Sequence, residues 1–421
     1  MASPHRVDQS AAEGLALVLH GNGGVREGGT MRLTAWVLAG LAALALWFTP
    51  AAEARPKPKG DAPAKVQGNT APGTLVSYRQ IGLPRNYRAT AWRMLYVTRD
   101  YAMRPTLSTG VVVLPDKAAR SAGSREFVAW AHPTTGVAWK CAPSLRASPI
   151  KSIGGLNDLV ASGVVVTATD YPGLGTDGPV GYLVGRGQAY AAIDSVRAAQ
   201  QIPGVGKGTD FALWGYSQGA HGALFGAELA GSYAPDLSLK GVAVIAPPTD
   251  LATLMRANLD SISGRVIAAY TLFSWNQKYA APLGPLVDNQ AKALVDEVSQ
   301  TCVDDLGGKL EAMAAQKGLE QNFLQNDPGD VNPWSDLLSK NSLFSYASKV
   351  PTLIIQGTSD DIVRPEVTTQ FVRNACRSGA RIDYVTLKGK GHGGAMQAGE
   401  RRAAAWLAAR LAGQPARSNC R

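Results

Sequence analysis

Three side chains lie far apart in this 421-residue chain, and each stands in a setting suited to acyl transfer. The first is Ser217, in Gly215-Tyr216-Ser217-Gln218-Gly219. With 46 glycines in the chain, chance alone gives a Gly-x-Ser-x-Gly string about 0.3 times, so its surroundings decide its weight. Phe211-Ala212-Leu213-Trp214 ahead of it reads as a short buried strand, and residues 220–230 behind it read as a helix. Strand, sharp turn and helix present a serine hydroxyl as a nucleophile, and the flanking glycines make room for it. An ordinary Gly-rich turn is the competing reading.

A serine hydroxyl is a weak nucleophile at neutral pH and needs a base to take its proton. Of the five histidines, His5 and His20 lie in an N-terminal segment set aside below. His392 sits in Lys388-Gly389-Lys390-Gly391-His392-Gly393-Gly394, a Gly-rich loop after the last strand-like run, and is the expected base. His221 lies one helical turn past Ser217, where its ring is expected to pack beneath the turn; it is the second candidate. His132 ends a different strand and belongs to another loop. The acid that orients the base is sought in Gly357-Thr358-Ser359-Asp360-Asp361-Ile362-Val363. Asp360, at the tip of the Gly-x-x-Asp turn, is preferred to Asp361. The non-catalytic reading is helix capping by Ser359 or an Asp ahead of Arg364-Pro365-Glu366.

A tetrahedral intermediate needs two backbone N–H donors for its oxyanion. Gln218, directly after the nucleophile, supplies one. The other is expected from His132-Pro133-Thr134-Thr135-Gly136, where Thr134 and Thr135 are equal candidates and a hydroxyl is a possible helper.

These residues need a scaffold that brings them together. Strand-like runs occur at residues 92–97, 110–115, 127–131, 163–169, 211–214, 241–246, 352–356 and 382–387, the first two as an antiparallel pair. Their continuous Val/Ile content, without alternation, is that of strands buried on both faces. Helical segments at 188–201 and 401–411 supply crossovers. The expected fold is α/β: a mostly parallel eight-stranded sheet covered on both faces, in the α/β-hydrolase arrangement. Residues 251–349 break the alternation, with helical spacing at Leu251, Leu254, Met255 and Leu259 and further helices at 291–301 and 309–316. Tyr270, Leu272, Phe273 and Trp275 are more apolar surface than a small separate extension buries, so a helical cap over the site is expected. The core then comprises residues 75–250 and 350–415.

Residues 1–54 read as an N-terminal extension and signal peptide rather than folded structure. Met31-Arg32 opens a charged start, residues 33–48 are almost uninterruptedly apolar, and Ala52-Glu53-Ala54 has the form of a cleavage site. Met31 is the expected initiator and residues 55–74 a flexible, Pro-rich leader. The apolar run is short for a membrane span, so cleavage and export are expected, leaving no transmembrane segment. Leu19-His20-Gly21-Asn22-Gly23-Gly24 resembles an oxyanion loop but lies ahead of the exported part. Residues 1–54 hold three Lys/Arg and four Asp/Glu, so the net charge of +10 becomes +11 beyond them. No basic stripe with interleaved aromatics accompanies it, which excludes nucleic acid as the expected partner. All four cysteines, Cys141, Cys302, Cys376 and Cys420, follow the signal; two disulfides are expected, in any of three connectivities. No Cys or His spacing suits a metal.

The chain from about Pro72 to Leu411 resembles the secretory lipases, the lipase A type of α/β-hydrolase found in fungi and many bacteria. The likeness is densest in Cys141-Ala142-Pro143-Ser144, residues 163–170, Trp214 to His221, Ser232-Tyr233-Ala234-Pro235-Asp236-Leu237 and the Asp360 turn. The resemblance implies hydrolysis of acyl glycerols or simpler carboxylic esters in lipid catabolism, with Ser217, Asp360 and His392 as a triad. It also implies a cap bearing an acyl tunnel, no cofactor, a small-molecule or lipid ester substrate, and transient contact with a lipid interface. By the same resemblance Cys141 pairs with Cys302 and Cys376 with Cys420. One departure stands out: members of that family carry an Asp in the oxyanion loop, where this chain has Thr134 and Thr135. Two other functions compete, a serine peptidase or aminopeptidase on the same fold and a catalytically inactive exported binding protein.

Overall fold

Apolar runs that cannot face water on either side force a sheet covered twice, and that is the architecture of the computed structural model. It describes residues 68–84, 87–119, 124–303 and 322–420. The signal peptide, most of the leader, the Leu19–Gly24 loop and the helix expected at 309–316 lie outside the described residues. Nine strands form one sheet: β1 (Leu75–Ile81), β2 (Ala89–Arg99), β3 (Pro105–Pro115), β4 (Phe127–Ala131), β5 (Val165–Thr169), β6 (Asp210–Tyr216), β7 (Ser238–Ile245), β8 (Thr352–Gly357) and β9 (Ile382–Leu387). Their order is β1-β2-β3-β5-β4-β6-β7-β8-β9. The pairings from β5 through β9 are parallel, while β1, β2 and β3 run antiparallel to their neighbours.

The count corrects the eight strands expected. β1 escapes an apolar-run search because it is a solvent-facing edge: Val76 and Tyr78 are exposed, Ser77, Arg79 and Gln80 are polar, and a bulge breaks the register at Leu75/Ser77. A second correction concerns residues 163–164. Gly163 takes φ +85° and closes a helix, and β5 begins only at Val165.

Among the described residues the longer helices are α1 (Leu156–Ser162), α2 (Gly185–Ala199), α3 (Gln218–Tyr233), α4 (Leu251–Asn258), α5 (Ile262–Tyr279), α6 (Asn289–Ser299), α7 (Trp334–Lys340), α8 (Pro365–Arg377) and α9 (His392–Leu411). On one face of the sheet α2, α3 and α8 bury Ile193, Leu224 and Phe371 against Phe211 and Val244. On the other, α1 and α9 bury Leu159 and Leu407 against Trp130 and Trp214. Helices α4 to α7 interrupt the chain between β7 and β8 and share a third core with the segments after β4 and β5. Trp275 and Trp334 stack there with ring centroids 6.1 Å apart. Side chains of Asp250, Ser261 and Asp288 accept the first free N–H groups of α4, α5 and α6.

Two disulfides join Cys141 to Cys302 and Cys376 to Cys420. The second holds the C-terminal tail along the otherwise open edge of β9. There Asn419 donates from its backbone to Ile382 O, and its side chain bonds both N and O of Tyr384. Covering an edge strand removes a template for unwanted pairing. Closing a 44-residue loop also removes freedom from the unfolded chain. A Cys376→Ser/Cys420→Ser variant is therefore expected to lose about 2–4 kcal/mol of unfolding free energy, read by urea titration. An unchanged titration midpoint would show that the tail is held without the bridge.

Candidate active site

The turn at Ser217 is fixed by the space around it. Ser217 adopts φ 52° and ψ −119°, a conformation that side-chain-bearing residues rarely hold. A β-carbon on Gly215 would lie 2.3 Å from Gly219 O, and one on Gly219 would lie 1.9 Å from Ala131 O. Neither glycine can be replaced without moving backbone. The turn is anchored on both sides: Ser217 N donates to Ile245 O of β7 at 3.0 Å, and His221 N donates to Ser217 O at 3.1 Å. Helix α3 starts at Gln218, so the serine sits at its N-cap with Oγ beyond the carboxyl end of β6.

Two more strand ends deliver the partners. β8 ends at Gly357 and the following turn places Asp360; β9 ends at Leu387 and the following turn places His392. The structure brings all three side chains together. His392 Nδ1 lies 2.8 Å from Asp360 Oδ2, and Nε2 lies 2.9 Å from Ser217 Oγ. A carboxylate accepts, so Nδ1 carries the proton and Nε2 is left to accept from the serine hydroxyl. Asp360 is itself fixed. Its Oδ1 accepts the backbone N–H of Ile362 and Val363 at 3.0 and 2.8 Å, and its Oδ2 accepts Gln356 Nε2 at 3.1 Å.

The neighbours expected as alternatives fall elsewhere. Asp361 is exposed. Capping explains neither aspartate: α8 begins behind Arg364 with no side-chain cap. His392 corrects the expected placement in a Gly-rich loop, since it opens helix α9 with Gly391 at the N-cap. His221 is fully buried, with Nε2 2.7 Å from Asn341 O, and its ring meets the edge of Phe225. His132 stacks on Tyr171 at 4.4 Å, and its two ring nitrogens face the carbonyls of Pro133 and Asp170 at 2.6 and 3.2 Å.

The two oxyanion-loop threonines separate clearly. Thr134 lines a cavity together with Ser217 and Gln218, and Thr135 does not. The Thr135 carbonyl instead accepts Val303 N at 3.0 Å from the far end of the cap. No described residue accepts the backbone N–H of Thr134 or of Gln218. The cavity runs from these groups between α4 and α5, past Leu254, Met255, Ile267 and Ala268. None of the described residues that line it carries a charge.

Sequence reasoning missed three neighbours. Tyr216 lays its ring against His392 at 5.0 Å, and Tyr182 reaches Thr134 across the cavity wall. Gln356 holds Asp360, and here a signal existed: a single amide in an otherwise apolar strand, Thr352–Gly357. Among the described residues no cluster of His, Cys, Asp or Glu is placed to hold a metal ion.

His221 allows a test of its structural role. Burial pushes its imidazole down to about 4, whereas the unfolded chain takes up a proton near the ordinary value of about 6.5. The stability gained from keeping it neutral is complete above pH 6.5 and is lost as pH falls toward 4. Asp194, which burial raises to about 6, acts in the opposite sense, because the folded protein binds its proton first. The comparison of wild type with His221→Gln removes that common term. The stability difference between the two is expected to shift by up to about 3 kcal/mol between pH 7 and pH 4 in favour of the variant. Urea titrations giving a pH-independent difference would rule this out.

Comparisons with known proteins bear on the same residues. A family model described as secretory lipase matches residues 154–419. The trichothecene C-3 esterase of Fusarium sporotrichioides is 28% identical over 344 residues, covering 75% of this chain and 72% of that protein. A probable inactive lipase of Mycobacterium tuberculosis is 24% identical over 380 residues, covering 84% of this chain and 81% of its own. The crystal structure of Candida antarctica lipase A superposes with a TM-score of 0.71 at 17% identity, covering 84% of this chain and 85% of that one. With the site built on this fold and the family model spanning more than half of the sequence, the chain belongs to the secretory lipase family of lipase and esterase hydrolases.

Proposed function

We propose that this protein is an exported serine carboxylester hydrolase that works through an acyl-enzyme intermediate. The observation that carries the reading is the unbroken line of contacts from Asp360 through His392 to Ser217. Ser217 Oγ attacks the ester carbonyl while His392 Nε2 takes its proton. The Gln218 and Thr134 N–H groups, which lack acceptors among the described residues, are free to receive the oxyanion. Protonated Nε2 then gives its proton to the leaving alcohol, and water repeats the sequence on the acyl-enzyme. Asp360, fixed by Gln356 and two backbone donors, holds the imidazole in the one tautomer that can serve.

The apolar cavity between α4 and α5 suits the acyl chain, which makes triacylglycerols and simpler fatty esters the substrate class. None of the described lining residues is a carboxylate, which weighs against an aminopeptidase, since that activity needs a charge partner for the substrate amine. One relative is named as an inactive lipase. The intact hydrogen-bonded triad in this chain supports activity instead. The two disulfides and the family suit an extracellular setting; an exported form beginning at Arg55 is the matching expectation for N-terminal sequencing.

Ser217→Ala is expected to lower p-nitrophenyl ester turnover by about 10⁵-fold or more, and Asp360→Asn by about 10³–10⁴-fold, with the circular dichroism of the fold retained. Turnover that survives Ser217→Ala, or a pure protein that a fluorophosphonate fails to label, would sink the proposal. A series of p-nitrophenyl esters and triglycerides of increasing chain length then places the enzyme between esterase and lipase.

A further inference from the structure

Tyr182 and Thr134 meet hydroxyl to hydroxyl at 2.9 Å, and both residues line the cavity at Ser217. Two hydroxyls carry two protons, and this bond uses one of them. No described residue accepts the other. A phenol is a stronger acid than an aliphatic alcohol and its oxygen a poorer acceptor, so the phenol is the one that donates. Tyr182 therefore gives its proton to Thr134 Oγ1, and the Thr134 proton is left to turn into the cavity. Burial holds the phenol protonated far above its usual range, so it remains a donor at any working pH.

Tyr182 has little freedom to do otherwise. Its N–H donates to Ser274 Oγ at 2.9 Å, and its carbonyl accepts Trp275 Nε1 at 2.8 Å. Its ring meets Tyr270 edge-on at 5.9 Å. Ser274, Trp275 and Tyr270 all belong to α5, so a cap helix fixes the phenol.

We propose, resting on the Ser217 reading above, that Thr134 adds its side-chain hydroxyl to the backbone donors of the oxyanion, and that Tyr182 is the positioning residue that aims it. No proton changes owner. The Tyr182–Thr134–oxyanion chain shortens as the carbonyl oxygen gains charge, each bond polarising the next. The oxyanion site then has three donors where the loop backbone and Gln218 supply two, and the third depends on the cap being seated.

The test is steady-state turnover of p-nitrophenyl butyrate by wild type, Thr134→Val, Thr134→Ser, Tyr182→Phe and the Tyr182→Phe/Thr134→Val double variant. Thr134→Val is expected to lower kcat about 10–100-fold with KM within about twofold, and Thr134→Ser to stay within about threefold of wild type. Tyr182→Phe is expected to lower kcat about 5–10-fold, and the double variant to be no worse than Thr134→Val alone. Inhibition by an alkyl boronic acid, whose adduct with the serine is tetrahedral, should weaken in step with kcat/KM. Wild-type kcat in Thr134→Val, or losses that multiply in the double variant, would overturn the proposal. Should Thr134→Val not fold, unchanged boronic acid affinity in Tyr182→Phe overturns it equally. Activity retained in Ser217→Ala strikes the parent reading; an inactive Ser217→Ala beside an unaffected Thr134→Val strikes this inference alone.

Discussion

The site depends on one backbone torsion. Ser217 is held at φ 52° because β6 must stop, reverse and launch α3 within a single residue. That turn costs on the order of 1–3 kcal/mol of local strain and persists because its surroundings leave no alternative. Gly219 is pressed against Ala131 O, Gly215 against Gly219 O, and the serine N–H is tied to Ile245 of the adjacent strand. The constraint does two things at once. It lifts Oγ clear of the sheet edge toward His392, and it aims the first N–H groups of α3 at the same spot, where a helix N-terminus favours negative charge.

Helices α4 to α7 are tied to the elements that carry the site. The chain between β7 and β8 meets the segment after β4 at three places: the Cys141–Cys302 bridge, Val303 N on Thr135 O, and α5, which holds Tyr182 against Thr134. A fourth contact reaches the elbow helix, where His221 donates to the carbonyl of Asn341 just beyond α7. Asn341 also accepts Gly185 N at the start of α2 and bonds Tyr279 of α5. Hydrogen bonds buried at such a junction are strong because water cannot compete for them, and costly to leave unmade. The packing of helices α4 to α7 on the core and the order of the segment after β4 are therefore linked.

Much of this was legible in the sequence, for identifiable reasons. Eight strands announced themselves because burial on both faces demands unbroken apolar residues, and Ser217 and Asp360 were found because glycines mark the turns that carry them. β1 was not legible, since an exposed edge strand asks nothing of its side chains but compatibility with water. The start of α9 at His392 was hidden by Gly391, Gly393 and Gly394, which read as loop when the apolar spacing begins only later. The choice between Thr134 and Thr135 was closed to sequence altogether. Adjacent residues of one type differ only in which way the backbone turns, and a cap a hundred residues away decides that. Tyr182 shared the difficulty: nothing in its neighbours marks it, and its partners Ser274 and Trp275 lie over ninety residues on.

The three described histidines show what separates a candidate base from a structural imidazole. Burial does not: His132, His221 and His392 are all at most 4% exposed. Their partners do. His132 faces two carbonyl oxygens, and His221 faces a carbonyl and the Gln188 amide. Such partners fix a ring but offer no proton to take up. Only His392 stands between an acceptor that secures the proton on Nδ1 and a hydroxyl whose proton Nε2 can take. An imidazolium formed at His221 would have no carboxylate beside it and would bear the full cost of burial, which is the cause of its depressed affinity for protons. At His392, Nδ1 meets the Asp360 carboxylate at 2.8 Å and the ring lies 5.0 Å from that of Tyr216. The candidate base is thus marked by its two partners, and those are supplied by the strand ends that converge there and not by the residue.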